Sequence, residues 1–187
     1  MEKNKTIVWV VVGVVVAAIV IYFAVSGGLP APTTQQPTGT QTPEGMVAVT
    51  GTSPVASSGE VIAPSGIKAD NTSVPGSQSA PQQSAPITAT EVPPTAIKLS
   101  ISAAGFVPST FTVKAGAAVT LSLTGTDQQT HVLRFDDPSL NAVAIGIGPG
   151  QTRVITFNAP SKSGDYAFHC DVPGHEARGE TGKMTVQ

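Results

Sequence analysis

The sequence predicts an all-β fold: a Greek-key β-sandwich of seven to eight strands in the last half of a 187-residue chain. Three observations predict it. From Thr95 onward the chain runs in short alternating stretches, cut by Gly, Pro, Asn and Asp clusters. No stretch there shows a convincing helical period. Phe106, Phe111, Phe135, Phe157, Tyr166 and Phe168 all fall in this part, so a core belongs to it alone. Strands at this spacing in residues 95–187 suit a small antiparallel sandwich.

The elements follow in chain order. Lys3 and Lys5 precede an uncharged apolar run from Ile7 to Val25. At ~1.5 Å per residue such a run covers roughly the ~30 Å hydrocarbon core of a bilayer. Residues 1–25 therefore read as a membrane anchor whose lysines hold the amino terminus in the cytoplasm. A cleaved signal peptide is the rival, with small residues at Ala24 to Ser26, but the run exceeds the ~7–15 residues of a signal core. Both readings export the remainder, to a periplasmic or extracellular side. Residues 26–94 contain eleven prolines and no aromatic residue. Such a composition buries too little apolar area to offset its ordering entropy, so a disordered linker is expected, with a reach of roughly 45 Å. "NTS" at Asn71 matches a glycosylation sequon, a weak three-residue signal.

In residues 95–187, "AIKLSIS", "TFTVKAG", "AVTLSLTG", "HVLRF", "TRVITFNAP", "DYAFHC" and "GKMTVQ" each read as a strand. Val119, Leu121 and Leu123 share one face. The inward face of "TRVITFN" is ambiguous, because Ile155 and Phe157 alternate with Val154 and Thr156. Pro108 suits an edge strand or a bulge. "PSLNAVAIG" has room for one short turn. Seven basic and seven acidic side chains cancel in this part, so no positive field for nucleic acid is expected.

The chain has one cysteine, which excludes an internal disulfide. An exported lone thiol calls for an occupant, and a metal fits. Cys170 ends the strand "DYAFHC", the turn "DVPG" returns His175 beside it, and His131 opens the distant strand "HVLRF". One thiolate and two imidazoles suit a borderline-soft ion, copper or zinc, and blue-copper sites add a long, weak axial ligand. "YAFHCDVPGHEARGETGKMTV" resembles the copper loop of the cupredoxin family, the plastocyanin, azurin and auracyanin relatives. "GFVPSTFTVKAGAAVTLSLTGTDQQTHVLRF" is similar to the first half of that fold. The resemblance covers nearly all of 95–187. It implies one copper ion cycling between Cu(I) and Cu(II), with His131, Cys170 and His175 as equatorial ligands.

The family's axial methionine lies five residues after the second histidine, where this chain has Glu180. Either Glu180 coordinates as a hard anionic donor, favouring Cu(II) and making the site more hospitable to zinc, or it turns to solvent. Met184 and the carbonyl of Thr130 are the other axial candidates. His169 should face away from Cys170, and Asp171 and Glu176 read as solvated loop charges. A catalytic Cys170 lacks an orienting third group. A binuclear centre would need a cysteine where Gly174 stands.

The resemblance implies an electron carrier that meets transient redox protein partners through His175 with Val172, Pro173 and Ala177 around it, and the apolar run of residues 7–25 would tether it to the membrane. Two alternatives stay open: a red-copper-like site that binds or transforms a small molecule, and a non-redox metal-binding module, with zinc occupying recombinant material. No separate catalytic residue is expected.

Overall fold

The computed structural model describes residues 51–187. Nine strands follow one another: β1 Ile97–Ser102, β2 Gly105–Val107, β3 Thr110–Val113, β4 Ala118–Gly125, β5 His131–Phe135, β6 Ala144–Ile147, β7 Thr152–Asn158, β8 Gly164–Cys170 and β9 Thr181–Val186. They form a four-stranded sheet in the order β2-β1-β4-β7 and a five-stranded sheet in the order β3-β9-β8-β5-β6. The chain passes between the sheets repeatedly, so sequence neighbours are shared out to opposite faces of one core. Helix is confined, among the described residues, to short 3-10 turns.

Two expectations need correction. The strand number is nine, because β2 and β6 are short pieces that alternation alone did not mark. The turn expected in "PSLNAVAIG" is present at Pro138–Leu140, capped by Asp137, which accepts from the N–H of Ser139, but the same stretch then continues into β6. The sandwich is also mixed: β1 runs parallel to β4 and β3 parallel to β9. After β1 the chain reverses in β2 and visits the other sheet in β3 before β4 returns beside β1, which forces the shared direction. Pro108 follows β2, which lies at the edge of its sheet, so its missing N–H costs no interior ladder bond.

The interior is built by alternation. Val119, Leu121 and Leu123 of β4 face Leu133 and Phe135 of β5 and Tyr166 and Phe168 of β8 within one cluster. Phe168 is its hub: its ring lies 5.0 Å from Phe106, 5.7 Å from Phe135 and 5.8 Å from Phe111. Such edge-on and tilted pairs add about 0.5–1.5 kcal/mol each beyond area burial. Opposite Phe168 in the β8–β9 ladder stands Gly182, where a Cβ would lie 2.3 Å from the Phe168 ring and 2.5 Å from the Ser109 carbonyl. Only glycine lets the strands approach this closely over the hub.

Residues 51–94 depart from the expectation of a disordered linker. Antiparallel bridges Gln83↔Ile155 and Ile87↔Thr152 place the segment along the free edge of β7. Ser84 clasps Val154 from both sides, its N–H donating to the Val154 carbonyl and its hydroxyl accepting from the Val154 N–H. Gln83 also accepts from the N–H of Gly146 in β6, so the segment joins the edges of both sheets. Val61, Ala63 and Ala69 bury a small separate cluster. A segment of this composition cannot order itself in isolation; here the sandwich supplies the partners. Val154 and Thr156 are buried as well as Ile155 and Phe157, which accounts for the ambiguous pattern of β7. Asn71 spends its side-chain amide on the Asn158 carbonyl at 2.7 Å, so the sequon nitrogen is engaged.

The proposed anchor at 1–25 lies outside the described residues, as does the linker before 51. Among the described residues no helix is long and apolar enough to cross a membrane.

Candidate metal centre

Strand register brings the distant histidine to the thiol. In β8 the inward residues are Tyr166, Phe168 and Cys170; in β5 they are His131, Leu133 and Phe135. Leu133 pairs with Cys170, so His131 is the same-face diagonal neighbour of the thiol. The strand end beyond Cys170 then folds back. Gly174, at φ 83°, turns the chain into a 3-10 turn at Glu176–Arg178, and Gly179, at φ 95°, ends it. The Glu180 carbonyl accepts from the Cys170 N–H at 2.9 Å, closing the loop at its base.

His131, Cys170, His175 and Glu180 converge so that one donor atom of each lies within 4.8 Å of all the others. The Cys170 Sγ is 3.8 Å from His131 Nδ1 and 3.5 Å from His175 Nδ1. Glu180 Oε2 sits 2.8 Å from His131 Nδ1 and 2.9 Å from His175 Nδ1. All four residues are buried, with His131 and Glu180 at 0% exposure and His175 nearest the surface at 8%. The structure thus brings together His131, Cys170, His175 and Glu180. Glu180 points inward and does not turn to solvent.

Residues the sequence reading missed complete the centre. Asp127 Oδ1 lies 3.0 Å from His131 Nε2, while its two oxygens also accept from the N–H groups of Gln129 and Ala103. The Gln129 and His131 hydrogen bonds hold its carboxyl down at about 2, so it is ionised at neutral pH. Asp127 thereby fixes the His131 ring with Nδ1 aimed at the cluster. Arg178 donates from one Nη2 to Glu180 Oε1 at 2.7 Å and to Gln129 Oε1 at 3.1 Å. Burial pushes the Glu180 carboxyl up, but hydrogen bonds from His131, Arg178 and His175 outweigh it and leave the pKa lowered. Burial raises the Cys170 thiol, against the pull of the Val132 and Val172 N–H groups. The sequence signal for Asp127 was an acid four residues before His131, invisible without the loop geometry.

The sulfur and nitrogen donors have the spacing that one bound ion sets. A tetrahedral ion with bonds of about 2.0 Å to nitrogen and 2.3 Å to sulfur holds those donors roughly 3.5 Å apart. The sulfur–nitrogen separations of 3.5 and 3.8 Å meet that. The Glu180 oxygen stands at hydrogen-bond distance from both imidazole nitrogens, 2.8–2.9 Å, closer than the roughly 3.3 Å that a tetrahedral ion with 2.0 Å bonds would set.

The other candidates are placed elsewhere. Met184 is a fully buried core residue of β9. His169 faces the other side of β8, against Asp136 and Asp171. Asp171 and Glu176 are both exposed, as expected of solvated loop charges, and Asp171 also pairs with Arg134 at 3.1 Å. Around His175, Pro173 and Ala177 are exposed, but Val172 packs partly against the core.

A model for the cupredoxin-like domain matches residues 78–186, more than half of the chain. The chain belongs to the cupredoxin-like family. Its match starts ahead of Thr95, within the segment that lies along β7. Among solved structures, the chain is similar to the dithionite-reduced auracyanin of the photosynthetic bacterium Roseiflexus castenholzii. That pair shares 28% identity over 50% of this chain and 97% of the other, with a TM-score of 0.44. Auracyanin B matches at 20% identity over 55% of this chain and 94% of its own, with a TM-score of 0.45. Amicyanin from Paracoccus versutus matches at 24% identity over 55% and 92%, with a TM-score of 0.42. No curated protein matches the chain in sequence. The four-residue cluster of this cupredoxin-like domain fits a blue copper site with glutamate in place of methionine.

Proposed function

We propose that this cupredoxin-like domain is an electron carrier holding one copper ion through His131, Cys170, His175 and Glu180. The observation that carries the reading is the convergence of four buried donors, one of them on a residue that reaches the surface. When bound, copper supplies a one-electron couple between Cu(I) and Cu(II). The protein's part is to hold the donors still, so that little reorganisation accompanies the change of charge. β5 and β8 fix His131 and Cys170 from a packed core, and Asp127 orients His131. Burial excludes water from the donors. His175, with exposed Pro173 and Ala177 beside it, offers the contact face for transient redox protein partners.

Glu180 would hold the ion together with the two histidines and the thiolate. A carboxylate favours the oxidised ion over the reduced one and lowers the reduction potential relative to a thioether. The same donors accept Zn(II), so zinc competes in recombinant material. Residues 1–25 anchor the chain in the membrane, with the copper domain on the extracytoplasmic side; Lys3, Lys5 and the apolar run Ile7 to Val25 support this.

The test is to add Cu(II) to the purified protein and record visible and EPR spectra through a cycle of reduction. A strong thiolate-to-copper band that bleaches and returns is expected. Its absence would sink the carrier reading. Glu180→Met should raise the potential and move the colour toward blue; an unchanged spectrum removes Glu180 from the ligand set.

A further inference from the structure

Glu180 is the one fully buried carboxylate among the described residues, and its two oxygens have different company. Oε2 faces the two histidine Nδ1 atoms, at 2.8 and 2.9 Å. Oε1 faces outward and meets Arg178 at 2.7 Å. We infer that Arg178 is a positioning residue that makes Glu180 a single-oxygen donor to the metal. The inference rests on the reading of Glu180 as a ligand.

The chemistry of a free carboxylate explains why something must hold it. Both oxygens are equivalent donors, so an unrestrained Glu180 either chelates through both or rotates away. A charge-assisted hydrogen bond on Oε1 removes both options, because guanidinium and metal then compete for different lone pairs. The arginine is itself held. The same Nη2 donates to Gln129 Oε1, and the Gln129 N–H donates to Asp127, which orients His131. Arg178 therefore ties the loop carrying Cys170, His175 and Glu180 to the loop that leads into His131.

An ordinary exposed ion pair would do none of this, and most contribute little. This pair differs because one partner is at 0% exposure and the other at 42%. Cys170 and the Glu180 carboxylate are buried side by side, and the guanidinium is a fixed positive charge that touches the carboxylate.

Charge and geometry are separable by experiment. Arg178→Lys keeps the charge but loses the guanidinium Nη2 that serves Glu180 Oε1 and Gln129 Oε1 together; Arg178→Gln loses the charge too. Both are made in the full-length protein, alone and in a Glu180→Met background. Cu(II) spectra and the Zn(II) affinity from chelator competition are read for each. Both single variants should alter the thiolate band and weaken Zn(II) binding by about 10–100-fold, the usual cost of losing such a partner. In the Glu180→Met background neither should change the band. If Arg178→Lys matches the unmodified protein in both readings, the positioning role is overturned and only charge remains. If Glu180→Met shifts the spectrum while neither arginine variant does, Arg178 is overturned and the ligand reading stands. If Glu180→Met alone changes nothing, the ligand reading fails first and takes this inference with it.

Discussion

The sandwich interior and the segment 51–94 are held by different forces. The interior buries twenty-one residues in one cluster, whereas the segment buries three in its own. The interior is stabilised by area removed from water, at roughly 25 cal/mol per Å². The segment is stabilised by hydrogen bonds to strand edges that would otherwise stand open. Interior order therefore comes from many interchangeable contacts, and segment order from a few specific ones. Asn158 shows the second kind: its side chain accepts from the Val61 N–H and donates to the Gly59 and Gly116 carbonyls.

The largest effect should come from the interior. Phe168→Ala removes the aromatic hub and should cost about 3–5 kcal/mol, read from chemical denaturation. A loss below about 1 kcal/mol would mean that the interior does not depend on this ring. Metal should come next. Cu(II) or Zn(II) at roughly a thousandfold excess over its dissociation constant should stabilise the fold by about 4 kcal/mol. His131→Ala should abolish that gain in thermal melts; a gain that survives points to binding elsewhere.

Asn158→Ala strands partners on both sides of the contact and should cost about 1–3 kcal/mol. Limited proteolysis should then cut between 51 and 87 while the sandwich stays whole. Simultaneous loss of both would show that the two regions melt as one. The smallest effect lies at the surface. Hydrogen bonds from Lys183 and then Thr185 hold the Asp165 carboxyl below 3.8. A depressed folded value stabilises above 3.8 and loses that contribution as pH falls through the folded pKa. Asp165→Asn should flatten the acid limb of the stability profile and leave the neutral region nearly unchanged; an unaltered acid limb would remove this carboxylate from the account.

The sequence was most readable where neighbours in chain are neighbours in space. Cys170, His175 and Glu180 lie on one short loop, and His131 was found because a lone imidazole opening an apolar strand has few other uses. Asp127, Gln129 and Arg178 were not readable, because a polar loop residue gains its role only from a partner on another loop. Seven strands announced themselves by alternation; β2, three residues long, and β6, inside a stretch rich in Ala and Gly, did not. The order of 51–94 was hidden for a different reason. Composition reports whether a segment can bury itself, and this one is ordered by an edge belonging to β7.

That attachment has a mechanical meaning. The segment is fastened in series, through Asn158, then Ser84 and Gln83, then Ile87. A pull arriving from the amino-terminal side loads these fastenings one after another, like the teeth of a zipper. Each slackens the line before the next is strained. His131, Cys170, His175 and Glu180 all belong to β5, β8 and the loop beyond it, so the leading chain can pay out without carrying a donor away.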